Sequence, residues 1–518
     1  MKSANAIAIP KQYKILLGLL ALVSFICLLL STHRYGAGIA PDPVRYISTA
    51  RNIIAGMGVT SYDGTPFVTH PPVYPALLAL VSLFTGADPL VFAHILNALI
   101  FSVIVYLGGL LIFRCLSSFP TLALLGTVAI ACSRPLFSIS GWAFSEPLFI
   151  CFVLLSLLFS HSYLAKNDIP SLLLLSLSVT LATLTRYPGV TLMLWGALII
   201  LIYHPGHILK KIQHLALFSL LTAFPLLLWL TRSYLLTGTL AGPRRPSALT
   251  LFDNLSNVFT TSLYWYIPRT ITEKPIFFLL ISAGFCLFIG LSLKQNWQGI
   301  KIRLQQLTPV ILFIIIYIAF LVISSTIVGY DHIRDRLLSP IYVPLTLILL
   351  VLADAFVDSY RRRISNRVVN SLLAIGMAIW LLYPISSSAI KAVKLNSNGR
   401  GFTSKAWVES KTVKYLNEHR TLISECTFYT NGTDIAYLLA DLPSKTSPVA
   451  TEYYSSVTVN TISSLKGMWP KENNVCLIWF DKINRNYLFT VDQLQKIANI
   501  EPIALLEDGA IYTIARKE

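Results

Sequence analysis

Apolar runs of roughly 17–24 residues recur along this chain, each about the length that crosses a hydrocarbon core as a helix. In lipid every backbone polar group needs an internal partner, so a chain built from such runs folds as a helical bundle. Composition agrees. The chain is 55% hydrophobic and 13% charged, where a soluble protein carries roughly a quarter charged residues. The class is a polytopic α-helical membrane protein. The formal charge of +17 is not a nucleic-acid signal. Much of it lies in short loops between apolar runs, as the positive-inside rule expects.

Lys2, Lys11 and Lys14 precede an apolar run at about Ile15–Leu30. That run is longer than a cleaved signal core, and reads as an uncleaved first helix with its N-terminus in the cytoplasm. The basic segments 204–214, 294–303 and 358–367 read as short cytoplasmic loops. Helices are expected at about 147–164, 170–185, 189–203, 213–231, 275–293, 309–328, 337–356 and 369–386. Alternation then places Glu146, Arg186, the loops 232–274 and 329–336, and everything after about 390 outside.

Asp42, which follows the first helix, is also outside, so an even number of crossings separates it from Glu146. Three apolar segments lie between them: 73–86, 90–113 and 119–139. The short, proline-broken HPPVYPALLALVSLFTG is read as half-inserted or interfacial, which gives about eleven crossings. The alternative puts 119–139, interrupted by Arg134 and Pro135, in the interface.

Residues 391–518 change character. An amphipathic helix over 403–419, strands at Leu422–Thr430, Asn474–Phe480 and Ala510–Ile514, and helical patterns near 433–440 and 491–499 predict a small extracytoplasmic α/β domain. Residues 1–390 form the membrane domain. Cys27, Cys115, Cys132, Cys151 and Cys286 read as packing residues. Cys426 and Cys476 lie in the C-terminal part and could form a disulfide if that part lies outside the cytoplasm. The sequence holds no CxxC or HxxxH metal-ligand spacing.

Ionisable groups collect at the outer face rather than in mid-helix, where a transporter would place them. The first collection is the polar, turn-rich stretch 39–75, with Asp42, Asp63 and His70. Each residue also has a plainer reading. Asp42 before a proline suits a helix cap. Glu146 in SEPLF suits the start of a helix. His70 suits an interfacial cap, Asp63 in SYDGTP a turn, and the arginines headgroup contact. Arg186, Arg244, Arg245, Arg334 and Arg336 are phosphate candidates, because a guanidinium binds phosphate oxygens bidentately. Asp331 and Asp335 are expected to pair with neighbouring arginines.

The order of an Asp after the first helix, THPPVYP (69–75), SEPLF (145–149), TRYPG (185–189) and RLLSPIYVP (336–344) resembles the GT-C superfamily of polyprenyl-phosphate-sugar-dependent glycosyltransferases. It is most similar to the branch of protein mannosyltransferases and lipid A aminoarabinose transferases. The resemblance covers roughly residues 1–390, and more weakly the extracytoplasmic tail. It implies a catalytic base at Asp42, a second carboxylate at Glu146, a donor-phosphate contact near His70 and inversion at the anomeric carbon. Some relatives use a divalent cation, so Mg²⁺ or Mn²⁺ on Asp42 and Glu146 stays open. Arg336 is the preferred phosphate ligand, with Arg186, Arg244 and Arg245 beside it.

The expected function is sugar transfer from a polyprenyl-phosphate donor to a glycan, lipid or protein acceptor in the bacterial cytoplasmic membrane. The alternatives are a lipid-linked-sugar flippase or transporter, and a polysaccharide polymerase or ligase.

Overall fold

Proline, aspartate and serine set where the apolar runs begin to coil. Pro89 opens a helix capped by Asp88, whose Oδ1 accepts from Leu90 N at 2.8 Å. Asp168 caps the helix starting at Ile169, accepting from Ser171 N at 3.0 Å. Each cap satisfies a backbone donor left over in the first turn. The computed structural model describes residues 9–116, 119–244, 246–272, 274–360, 365–420, 426–451 and 457–517.

The membrane part runs α1 (Lys11–Thr32), α2 (Pro41–Ile54), α3 (Val73–Thr85), α4 (Pro89–Cys115), α5 (Pro120–Ala131), α6 (Arg134–Ser140), α7 (Glu146–Lys166), α8 (Ile169–Thr185), α9 (Val190–Tyr203), α10 (Ile208–Thr237), α11 (Leu251–Tyr266), α12 (Arg269–Thr272), α13 (Pro275–Ile327), α14 (Asp335–Leu338), α15 (Tyr342–Tyr360) and α16 (Asn366–Asn398). Among the described residues, 7 helices are long and apolar enough to cross a membrane, or 8 if α5 and α6, bent by 42°, count as one span. Three shorter apolar helices accompany them. This is a multi-pass membrane protein. Helices α7 and α8, α1 and α4, and α13 and α15 pack against each other. Leu22, Val23, Leu83 and Phe84 remain exposed, as side chains facing lipid do.

Several expectations change. The stretch 39–75 is not all turns. Pro41 at its N-terminus and the buried face Val44, Ile47 and Ala50 make residues 41–54 a helix. Segment 294–303 is not a loop but lies inside the 53-residue helix α13. The loop 232–274 carries α11 and α12. At 13 residues, α3 is about 20 Å long, short of a roughly 30 Å core. Part of 358–367, namely 361–364, lies outside the described residues.

Beyond α16 come α17 (Lys405–Val408), α18 (Lys411–Glu418), β1 (Thr427–Thr430), α19 (Thr433–Ala440), β2 (Lys445–Thr446), α20 (Ile462–Leu465), β3 (Val475–Phe480), α21 (Val491–Leu494), β4 (Ala498–Leu506) and β5 (Gly509–Arg516). The sheet order is β2-β1-β3-β5-β4. β1 is parallel to β2 and β3, and β5 is antiparallel to β3 and β4. A Cys426–Cys476 disulfide ties the start of β1 to β3. The helix expected over 403–419 is two helices, broken at Glu409–Ser410. The pattern at 491–499 holds only the short α21 before β4 starts.

Candidate active site

Residues 37–39 are stitched between two neighbours. Gly38 N donates to Gly141 O at 2.9 Å, Ala143 N to Gly38 O at 3.0 Å, and Phe402 N to Ile39 O at 2.8 Å. This fixes the chain just before α2 and places Asp42 in the first turn of that helix. Glu146 is the first residue of α7. Arg186 ends α8, and the turn after it needs Gly189, whose Cβ would meet Thr183 Cα at 2.5 Å. Arg336 lies in α14. Four helix ends thus converge at one face of the bundle.

Arg336 is the hub. Its Nη2 donates to Asp42 Oδ2, its Nε to Glu146 Oε1, and its Nη1 to Asp331 Oδ2 at 3.0 Å. Its guanidinium carbon lies 4.1 Å from the centroid of the Phe144 ring. Arg186 Nη1 reaches Glu146 Oε1 at 2.5 Å and donates to Ser145 Oγ at 3.2 Å. Ser145 Oγ is also 3.3 Å from Tyr46 OH. His70 Nε2 stands 3.7 Å from Asp42 Oδ2, with its ring edge-on to Tyr46 and its Nδ1 3.1 Å from Thr69 Oγ1.

Burial opposes the charge on Asp42, but the positive field of His70 and Arg336 more than offsets it, so the carboxyl sits well below the usual carboxylate range. The same burial, reinforced by Asp42, pushes the Tyr46 phenol up. Asp42 is therefore ionised at neutral pH.

A cavity of about 1380 Å³ opens over this cluster. Its lining includes Asp42, Arg45, His70, Arg186, Arg244 and Arg336. The structure thus gathers the candidates in this cluster and along the cavity, with Glu146 buried behind the lining, whereas Arg334 is in neither and Arg245 lies outside the described residues. Asp63 also lines it, while its Oδ1 closes a turn on Thr65 N at 3.1 Å. Asp335 accepts from Trp265 Nε1 at 2.9 Å and pairs with no arginine among the described residues.

Three carboxylates contact the guanidinium of Arg336, the residue expected to bind the donor phosphate. Arg45, which the sequence reading missed, lines the cavity and makes no ion pair among the described residues. It sits three residues after Asp42 on one face of α2, and that spacing was the available signal. Arg244 is exposed and likewise makes no ion pair among the described residues.

Residues 69–229 match the family model of dolichyl-phosphate-mannose–protein mannosyltransferases. Over the whole chain the structure superposes on ArnT from Cupriavidus metallidurans in the apo state. The TM-score is 0.56 at 12% identity, covering 96% of this chain and 97% of that one. The fold is that of the GT-C glycosyltransferases. The undecaprenyl-phosphate-bound form of ArnT gives a TM-score of 0.53 with the same identity and coverage. The chain also superposes on the arabinofuranosyltransferase AftD from Mycobacteria at TM-score 0.52 and 14% identity, covering 99% of this chain and 42% of that one. No curated protein matches it by sequence. The family-model match contains His70, Glu146 and Arg186, whereas Asp42, Arg45 and Arg336 lie outside it.

The residues present do not fit a divalent cation held by Asp42 and Glu146. The Arg336 guanidinium binds both carboxylates, and among the described residues no three His, Cys, Asp or Glu side chains gather for a metal.

Proposed function

We propose that this protein is a membrane glycosyltransferase that moves a sugar from a polyprenyl-phosphate donor to an acceptor hydroxyl or amine, with Asp42 as base. The observation that carries this reading is the ionised Asp42 carboxylate at the wall of the large cavity, held by Arg336 against Glu146. A lipid phosphate is a good leaving group, so the chemistry asks for a base and a cationic cradle rather than a general acid.

The acceptor oxygen or nitrogen attacks the anomeric carbon, and its proton passes to Asp42. The bond from anomeric carbon to phosphate oxygen breaks, and its electron pair leaves with polyprenyl phosphate. One displacement inverts the anomeric centre. A depressed pKa makes Asp42 a weak base at the start, so its proton transfer follows bond formation, when the acceptor has become acidic. Arg45, Arg244 and His70 face the cavity to receive the phosphate. Arg336 and Arg186 position the two carboxylates.

The reaction faces the extracytoplasmic side of a bacterial cytoplasmic membrane, with residues 391–518 covering the site. Two observations support that sidedness. The Cys426–Cys476 disulfide suits an oxidising compartment. The basic stretch 204–214 lies one helix length from Arg186, at the opposite end of α9.

The test incubates the purified protein with polyprenyl-phosphate sugars and measures polyprenyl phosphate released. Asp42→Asn is expected to lower turnover by about 10²–10⁴-fold. Undiminished turnover by that variant overturns the base.

A further inference from the structure

A second, smaller cavity of about 410 Å³ lies between the end of α16 and α6. It shares no lining residue with the site above. Four cations converge on it: Arg134 from the start of α6, Lys391 and Lys394 from successive turns of α16, and Arg400 just beyond it. Ser387 and Asn398 add polar groups to the same wall.

Among the described residues none of the four cations makes an ion pair. Arg400 donates only through Nη1, to Ser138 O at 3.0 Å and Ser138 Oγ at 3.2 Å, and lies over the Trp142 ring at 5.2 Å. Asp335, at the start of α14, accepts from Trp265 and pairs with none of them.

Single lysines at a helix end extend individually toward headgroups. Here charges from three chain segments instead share one concavity. Arg134, Lys391 and Arg400 are partly buried. The Asp335 charge acts on Lys391 without pairing directly with any of the four, so the gathered like charges still repel one another, and an anion seated among them reduces that cost. The rim decides how the anion is presented. Ile390 and Val393, on the same stretch of α16, are 57% and 69% exposed and offer an apolar surface for acyl chains. Basic pockets between membrane helices bind lipid head groups in this way.

We propose that this cavity takes the phosphate of an anionic membrane phospholipid, at a site separate from the one that holds the donor. The wall it occupies is mechanically tied to catalysis. Arg400 stacks on Trp142 and is followed by Gly401, which pairs with Ile39, three residues before Asp42. A headgroup seated there braces the segment that leads into α2.

The experiment is native mass spectrometry of the full-length protein in detergent with phosphatidylglycerol, phosphatidylcholine and inorganic phosphate as separate probes. Phosphatidylglycerol is expected to bind at least about tenfold more tightly than phosphatidylcholine. The double variant Arg134→Gln/Lys391→Gln is expected to lose this preference, and Lys391→Arg to keep it. If the double variant is not monodisperse, Lys391→Gln/Lys394→Gln replaces it, with the same expectation. Unchanged preference in the charge-removing variants overturns the site. Inorganic phosphate that displaces the lipid at equal concentration overturns the lipid as its source.

Discussion

Glu146 is 1% exposed, and its Oε2 has no hydrogen-bond partner among the described residues, while Oε1 takes both arginines. A buried carboxylate between two guanidiniums holds the site together by charge. Removing that charge leaves two cations facing a neutral amide. Glu146→Gln is therefore expected to cost about 3–5 kcal/mol, read as a lower thermal unfolding midpoint in detergent. An unchanged midpoint would mean that Arg186 and Arg336 do not depend on this carboxylate. Asp42 and Glu146 were legible in the sequence because each stands at a helix start, where a carboxylate next to proline is conspicuous. The role of Arg336 was not legible. Its three partners lie 294, 190 and 5 residues away, and only one of those spacings is local. Arg45 was overlooked because an arginine inside a short amphipathic helix looks like solvated surface until the cavity above it is seen.

At the scale of elements, the stitched segment before α2 controls where Asp42 points. Gly401 has φ +61, and a Cβ there would overlap Ile39 O and meet Trp142 Cζ3 at 2.7 Å. Gly401→Ala is expected to shift Ile39 and the start of α2. A misplacement on the order of 1 Å costs about 10²-fold in rate, so the assay is turnover, with circular dichroism to show that the helices remain. Normal turnover by this variant would separate the stitch from catalysis. The sequence read most apolar helices correctly because their length and composition are the signal. It misread 294–303 because charge reports the side of a membrane and not the backbone conformation. KQNWQGIKIR is rich in good helix formers. It also missed β4 because Pro502 interrupts the strand pattern. β4 is an edge strand whose register shifts between Pro502 and Ala504, and an edge irregularity is where a sheet tolerates proline.

For the whole molecule, the question is how the C-terminal unit stays seated over the cavity. Arg51 Nη1 donates to Tyr437 OH at 3.3 Å, and Arg51 is itself held by Asp88. Tyr62 stacks on Tyr437 with ring centroids 5.2 Å apart, and its OH is 3.2 Å from Thr433 Oγ1. Tyr437→Ala is expected to remove about 1 kcal/mol of ring contact and to speed amide hydrogen exchange in α2 and α19 together. Faster exchange in α19 alone would show that the two halves are not coupled there. Within the C-terminal unit, Asp508 accepts from Thr412 N at 3.0 Å and Thr412 Oγ1 at 2.8 Å, and pairs with Lys482 at 3.0 Å. Burial opposes its charge, but hydrogen bonds from Ser410, Lys482 and Thr412 more than offset this and hold the carboxyl well below its ordinary range. Its stabilising contribution is complete above the unfolded value of about 3.9 and is lost as pH falls through the lower folded value. Acid titration of the full chain is expected to raise exchange in α18 and the β4–β5 turn only below about pH 4. Asp508→Asn should show raised exchange already at neutral pH, and a variant identical to wild type would exclude this linkage. The reach of Arg336 has a consequence for biosynthesis. A ribosome delivers Asp42 and Glu146 long before Arg336, so a nascent chain halted within α13 carries this pair of carboxylates with no common clamp. Closure of the proposed catalytic centre is thus a late event in assembly, and any product truncated before α14 lacks the clamp however well its earlier helices have inserted.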